Sequence, residues 1–261
     1  MMKAATVGDN CMDVYLSRQE SYPGGNPVNV AVYLKRLGGD ASYIGWVGTD
    51  SYGEQMHRAI RDKGIDVSHL HQKEGQTAVT YVELIGSDRK FGDYHEGVME
   101  HFVLTEADLR FIEGHALVHA GIWGHAEPYF PRFKEKGLIT SFDFSDQLHH
   151  DLTRRLPAFI DYAFFSYTQD DAYIRSYLKE THALGARVAV ATLGENGSLA
   201  YDGEHYFRRE AEAVTVVDTM GAGDSFIAGF LYGIMNGLPL TQCLEQGTRA
   251  AAHTITYFGA W

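Results

Sequence analysis

Val214-Thr215-Val216-Val217 is an apolar run that breaks into Asp218-Thr219-Met220-Gly221-Ala222-Gly223-Asp224 and continues as Ser225-Phe226-Ile227-Ala228-Gly229-Phe230, apolar at helical spacing. A strand that passes into a helix through a glycine-flanked turn gathers backbone N–H groups around one point, where the helix dipole also favours negative charge. The spacing therefore predicts an anion site. Asp224 stands at its mouth, and a carboxylate beside a phosphate is repelled unless the chemistry needs a base there. Phosphoryl transfer to an alcohol needs that pairing. Better-known nucleotide loops do not fit. GxxxxGK[ST] occurs nowhere in the chain, and GxGxxG is matched only at Gly221 and Gly223, with Phe226 in the third position and Glu245 in a helical stretch. The plain alternative is a glycine-rich turn that only redirects the chain.

Such a site needs strand ends and helix starts to hold it, and the pattern supplies them. Ala4–Val7 reads as a strand, and residues 27–37 as a helix capped by Asn26, with Pro27 in the first turn and Gly38-Gly39 as its stop. Residues 42–47 read as a strand and 53–63 as a helix. Residues 77–85 and 90–95 flank a hairpin turn at Gly86-Ser87-Asp88-Arg89, and Thr105 with Asp108 opens a short helix. Strands over 117–120, 138–142, 162–165 and 187–192 then alternate with helices over 128–136 and 170–184, and a last helix spans 240–257. This βαβ alternation predicts an α/β fold with a mainly parallel sheet covered by helices on both faces, binding ligands beyond the carboxyl ends of its strands. The hairpin region 77–95 and the segment 11–22 interrupt the alternation.

The 261 residues suffice for one α/β domain with a small appendage. A net charge of −12 disfavours nucleic acid and anionic membranes as partners. Cys11 and Cys243 suit a reducing cytoplasm rather than a disulfide framework, and neither a signal peptide nor a membrane span is apparent. Thirteen histidines raise the question of a metal. HExxH is absent, and His115 and His119 fall in or beside a strand. His69 and His71 could share a strand face but have no matching Cys or Glu ligands, so no structural zinc site is expected. His119, His125 and Trp123, around Gly121 and Gly124, are better placed to meet a substrate.

The string DTMGAGDSFIAGF resembles the C-terminal signature of the ribokinase-like, or PfkB, carbohydrate kinases. Two further marks of that family stand in order, Gly24-Gly25-Asn26-Pro27-Val28-Asn29-Val30-Ala31 and Gly45-Trp46-Val47-Gly48-Thr49-Asp50-Ser51-Tyr52-Gly53, so the resemblance spans nearly the whole chain. It implies a single ribokinase-like domain over residues 1–261, with lid segments at about 11–22 and 77–95. Both segments look short for the family, which leaves room for a lid completed by a second copy in a homodimer. It implies Asp224 as the catalytic base, with the N–H groups of Gly221, Ala222 and Gly223 as the anion hole. It implies Asp13, Gly25, Asn26 and Asn29 on the sugar, joined by Asp9, which otherwise reads as a turn cap. Thr192-Leu193-Gly194-Glu195-Asn196-Gly197 resembles the family's nucleotide loop, so Thr192, Gly194 and Gly197, with Thr248, are expected to line ATP. The family's NxxE motif is replaced by Ser166-Tyr167-Thr168-Gln169. Mg²⁺ should still be required, with Asp170 or Asp171 as candidates for its rebuilt surroundings, and a monovalent cation stays an open question.

Residues 25–33, 91–99, 122–127, 142–146 and 259–261 look closest to the family members that phosphorylate fructosyl amines at the terminal sugar hydroxyl. A fructosyl amine carries a cationic nitrogen that fructose lacks, and Asp93, Glu96 and Glu100 offer it carboxylates. The alternatives are a kinase for fructose, fructose phosphate, ribose or a nucleoside, and a non-catalytic sugar-binding module.

Overall fold

Runs of β-branched and aromatic residues too short for helices alternate with amphipathic stretches that stop at glycine, and each becomes its own element. The computed structural model describes residues 2–16, 19–85 and 88–261. In chain order the elements are β1 (Lys3–Val7), β2 (Cys11–Tyr15), β3 (Glu20–Gly24), α1 (Asn26–Arg36), β4 (Asp40–Gly48), α2 (Ser51–Asp62), β5 (Asp66–Lys73), β6 (Val79–Ile85), β7 (Asp88–His95), α3 (Glu106–Glu113), β8 (Leu117–Gly121), α4 (Phe130–Glu135), β9 (Ile139–Asp143), α5 (Leu152–Arg155), β10 (Tyr162–Ser166), α6 (Ala172–Ala183), β11 (Val188–Thr192), β12 (Ser198–Tyr201), β13 (Tyr206–Arg209), α7 (Ala222–Met235) and α8 (Leu240–Thr254). Gly86 and Ser87, expected at the hairpin tip, lie outside the described residues.

Nine strands form one sheet in the order β13-β12-β11-β10-β9-β8-β1-β4-β5, parallel from β11 to β5 and antiparallel at β12 and β13. A parallel sheet buried on both faces needs apolar side chains on both, and β10 has them. Ala163 and Phe165 pack in one core with Phe130 and Phe133 of α4 and Ile174 and Leu178 of α6, whereas Tyr162 and Phe164 pack in the other with Phe226 and Phe230 of α7. Helices thus cover both faces. β1 lies between β4 and β8, so the strand order reverses beside it and its carboxyl end opens on a crevice.

A second sheet, in the order β3-β2-β6-β7, is built from residues 11–24 and 79–95. Its register sets Asp13 opposite Tyr22 and Thr80, and Thr80 opposite Tyr94, so these side chains share one face. Among the described residues no helix is long and apolar enough to cross a membrane.

Two sequence expectations fail. Val214–Val217 is not a strand. It is irregular and exposed, with Val216 at 56% and Val217 at 58%, and its Val217 N–H donates to Ile255 O after α8 rather than to a strand. Asn26 does not cap α1. Gly25 is the cap, at φ 104, where a Cβ would lie 2.7 Å from the Asn10 Cα, so Asn26 falls inside the first turn and its side chain is free for the crevice. The capping box at Thr105 and Asp108 is present as expected.

Candidate active site

The start of α7 is held from behind. Asp218 is buried; its Oδ1 accepts from Met220 N at 3.1 Å and its Oδ2 from Gly259 N at 2.7 Å. Gly221, at φ 74, takes the left-handed turn before the helix, where a Cβ would meet the Tyr33 hydroxyl at 2.6 Å. That hydroxyl donates to the Ala260 carbonyl. Helix geometry leaves the first-turn N–H groups without intrahelical acceptors. Among the three N–H groups expected to form the anion hole, that of Ala222 donates to Thr219 O at 3.2 Å.

Asp224, in this first turn, is gripped by α1. Asn26 Nδ2 donates to its Oδ1 at 2.7 Å and Asn29 Nδ2 to its Oδ2 at 2.7 Å, as residues three apart on one helix face can do. The other Asn26 Nδ2 hydrogen reaches Asp143 Oδ2 at 2.9 Å. Asn26 Oδ1 faces His119 Nε2 at 3.0 Å, and His119 Nδ1 faces Ser141 Oγ at 2.9 Å. Full burial drives the His119 pKa down to about 3, so the ring is neutral and its one proton sits on Nε2, donated to Asn26. Asn29 Oδ1 accepts from Trp261 Nε1 at 2.6 Å. Both amides are therefore oriented from behind, His119 fixing one and Trp261 the other.

Three carboxylates, Asp9 buried and Asp143 and Asp224 half-buried, converge on this point. Burial, and then the Asp224 charge, raises Asp9 from the usual 3.8 to about 7. Burial raises Asp143 to about 7 against the hydrogen bond from Ser145 N, and the charges of Asp224 and Asp9 add to it. Burial also raises Asp224, against the Asn29 and Asn26 hydrogen bonds. The three titrate as a group and do not all ionise at neutral pH. Asp9 Oδ2 accepts from Asn26 N at 3.2 Å, but its Oδ1 is buried without a partner. A hydroxyl donor would complete it.

The Asp9 shift makes a stability prediction. Its folded pKa is raised, so the folded chain keeps a proton that the unfolded chain has released between pH 3.8 and about 7. The associated stability is complete below 3.8 and is lost as pH rises through about 7. In sugar-free buffer, Asp9→Asn should leave stability nearly unchanged at pH 4 and raise it at pH 8 by at least about 1.4 kcal/mol, the equivalent of one pKa unit. Urea melts at the two pH values check this, and an equal effect at both would remove the buried charge as its cause.

The remaining expected residues fall around the crevice unevenly. Asp13 projects from β2 towards Gly24, whose Cβ would lie 3.1 Å from its Oδ2. Trp123 is half exposed in the loop whose Gly124 backbone packs against Gly8 and Asp9. Glu96, just after β7, pairs with His125 at 3.2 Å, and His125 follows Gly124, whose backbone packs against Gly8 and Asp9, which places this pair at the crevice mouth. Asp93 is exposed on β7. It sits at the irregular step of β7 between Phe91 and Tyr94, where the pairing with β6 shifts register.

Thr192 ends β11 and begins the turn through Gly194 (φ 57) and Gly197 (φ 84). Thr248 is buried on α8. Asp170 and Asp171 are each engaged by protein partners. Asp170 takes both donors of Arg175, at 2.6 and 2.7 Å, while Asp171 caps α6 through Ile174 N at 3.0 Å and accepts from the Tyr167 hydroxyl at 3.2 Å.

Sequence reasoning missed Asp143 and Trp261 as partners of the site, and it took His119 for a substrate contact when the ring stands behind Asn26. For Asp143, a carboxylate ending an apolar strand was the available signal.

The profile of the pfkB family of carbohydrate kinases matches residues 4–127 and 161–261. The chain is 49% identical over 261 residues to fructoselysine 6-kinase of Escherichia coli, covering 100% of both proteins. It is 34% identical to a fructosamine kinase of Bacillus subtilis, covering 100% of this chain and 93% of the relative. Among solved structures, the ribokinase of Arabidopsis thaliana complexed with ribose and ATP matches with a TM-score of 0.88 at 19% identity, covering 99% of this chain and 94% of that one. Thermotoga maritima ribokinase matches at 0.86 and 18%, covering 100% and 95%.

Proposed function

The chain belongs to the pfkB family of carbohydrate kinases, and from that premise we propose that it transfers the γ-phosphoryl group of ATP to the terminal hydroxyl of a fructosyl amine such as fructoselysine, giving the 6-phosphate and ADP. The observation that carries this reading is the 49% identity to fructoselysine 6-kinase along the full length of both chains. The geometry supports it through Asp224, a carboxylate fixed by two asparagines in the first turn of α7.

In this reading the whole chain works as one kinase domain with the small sheet as its lid. Asp224 accepts the hydroxyl proton as that oxygen bonds to the γ-phosphorus and the bond to the β-phosphate oxygen breaks, with ADP leaving. The Gly221 and Gly223 N–H groups and the α7 dipole offset charge on the transferring group, joined by the Ala222 N–H when it turns from Thr219 O to the phosphate. Asp9, Asp13 and Asn26 hold sugar hydroxyls, with Gly25 and Asn29 shaping the same wall and Trp123 at the rim.

Thr192, Gly194, Gly197 and Thr248 line the nucleotide. The exposed Val214, Val216 and Val217 extend along α8, tied by Arg209–Glu245 at 3.8 Å, Arg249–Glu212 at 3.9 Å and Val217 N to Ile255 O at 2.8 Å. They give an adenine ring an apolar surface beside Thr248. Mg²⁺ would neutralise charge on the transferring phosphates, and Asp170 and Asp171, committed to Arg175 and α6, do not fit as its direct ligands. The setting is the cytoplasm, where Cys11 and Cys243, both buried, stay reduced. A second copy completing the lid as a homodimer belongs to the same proposal.

The test is ADP release, by a coupled assay, on fructoselysine, fructose, fructose 6-phosphate, ribose and a nucleoside. Fructoselysine should be preferred over fructose, and Glu96→Gln should lower kcat/KM for fructoselysine by about tenfold, or ~1.4 kcal/mol, with fructose turnover almost unchanged. Asp13→Ala should harm both substrates alike. Equal wild-type efficiency on fructose and fructoselysine would remove the fructosamine reading, and no ADP on any acceptor would remove the kinase reading.

A further inference from the structure

On the opposite side of the large sheet from the nucleotide loops, His69 and His71 project from the outermost strand, β5, on the same face because they are two apart. α3 brings Asp108 beneath them. His69 Nδ1 lies 2.6 Å and His71 Nε2 2.8 Å from the same oxygen, Asp108 Oδ1. The three donor atoms lie within 4.8 Å of one another. Asp108 is buried and its other oxygen is fixed by the Thr105 N–H at 2.9 Å and the Thr105 hydroxyl at 2.6 Å, which orients Oδ1 towards the two rings. His69 is steadied by stacking on Phe111, with centroids 3.9 Å apart. The His69 and His71 side chains are 20% and 36% exposed, so an ion can enter and a water can hold the remaining position.

We propose that His69, His71 and Asp108 form a divalent transition-metal site of the zinc class, separate from the phosphoryl-transfer crevice. Two imidazoles and one carboxylate with an open position are a donor set that zinc accepts and that magnesium and calcium, which take oxygen ligands, do not favour. A tetrahedral zinc with bonds of about 2.0–2.1 Å holds its ligand atoms about 3.4 Å apart. Each ring reaches that spacing from Oδ1 by parting from it by less than 1 Å, within reach of a small side-chain rotation. The metal takes the place of the two N–H groups between ring and carboxylate.

The position gives the site a consequence. β5 leads into the small sheet and α3 follows it, so both lid strands β6 and β7 lie in the stretch between His71 and Asp108, 37 residues apart. A bound ion ties together the two roots of that hairpin and limits how far they separate.

The experiment uses the full chain without a polyhistidine tag, stripped with a chelator, and Zn²⁺ alone as the probe in competition with a chromophoric chelator. One tightly held Zn²⁺ per chain is expected, with thermal unfolding shifted upward by the ion. Co²⁺ in its place should show the intense visible bands of a tetrahedral site. His71→Ala and His69→Ala, both at the surface, should each weaken binding by at least about tenfold and abolish the thermal shift while leaving kcat on the sugar substrate unchanged. Binding of no ion, or binding that persists unaltered in the His69→Ala/His71→Ala double variant, would overturn the proposal and leave the cluster as two imidazoles hydrogen-bonded to a helix-capping carboxylate.

Discussion

Asp224→Asn is expected to lower kcat by at least about 10²-fold, towards the ~10⁴-fold upper end of what a general base contributes, while nucleotide affinity stays near that of the wild type. The carboxylate accepts N–H groups from Asn26 and Asn29, each at 2.7 Å, so both of its oxygens face donors. An amide has only one oxygen. Whichever way the Asn side chain turns, its NH₂ meets another NH₂, so the variant loses the base and also places two donors in opposition, at a cost of about 1–3 kcal/mol. Asp224→Ala separates the two effects, because it removes the base without the opposing donor. Neither substitution touches Thr192, Gly194, Gly197 or Thr248, which the proposed reading places on the nucleotide, so calorimetric ATP binding should persist in both variants. Turnover near the wild-type value in either one would sink the assignment of Asp224 as the base.

Asp224 was legible because its chemistry is local. The turn, the glycine at positive φ, the helix start and the carboxylate lie within a few consecutive residues, and each has a compositional signature. Its supports were not, since His119 reaches Asn26 across 93 residues, Asp143 across 117, and Trp261 reaches Asn29 across 232. No periodicity encodes such meetings; the sheet order creates them. The large sheet was readable from the alternation of short apolar runs with helices, because burial on both faces requires that pattern.

Two errors share one cause, the reading of a local preference where tertiary geometry decided. Asn before proline suggested a cap, but Gly25 adopts the turn that no side chain would tolerate, which moves Asn26 one place into the helix. Val214–Val217 had strand composition, but the Val217 N–H is taken by Ile255 O after α8. Asp108 shows the reverse. Its capping role was read correctly from Thr105, yet that role occupies one oxygen and says nothing of the second, which β5 brings against His69 and His71.

The second large effect is expected at Asn26, where a change of one atom should alter the pH dependence more than the fold. Asn26 Nδ2 holds two hydrogens and gives one to Asp224 and one to Asp143. In Asn26→Asp an oxygen replaces that nitrogen, 2.7 Å from Asp224 Oδ1 and 2.9 Å from Asp143 Oδ2. With Asp9 and Asp143 already raised to about 7, a further carboxylate can be accommodated only by holding additional protons in the cluster. The base is active when deprotonated and its folded pKa moves up, so activity is lost below that pKa and returns as pH rises through it. At pH 7, kcat/KM should fall by roughly 10²-fold; towards pH 9 the deficit should shrink, with the acid limb of the profile displaced by at least about one unit, or ~1.4 kcal/mol. His119 still has an oxygen to donate to, and the Asn26 backbone N–H still reaches Asp9, so the fold should tolerate the change. Asn26→Ala removes the bridging amide without adding a charge, and its acid limb should move less. A profile displaced equally by Asp and Ala, or a loss that does not vary with pH, would show that Asn26 only shapes the start of α1 and leaves the carboxylate cluster to set its own protonation.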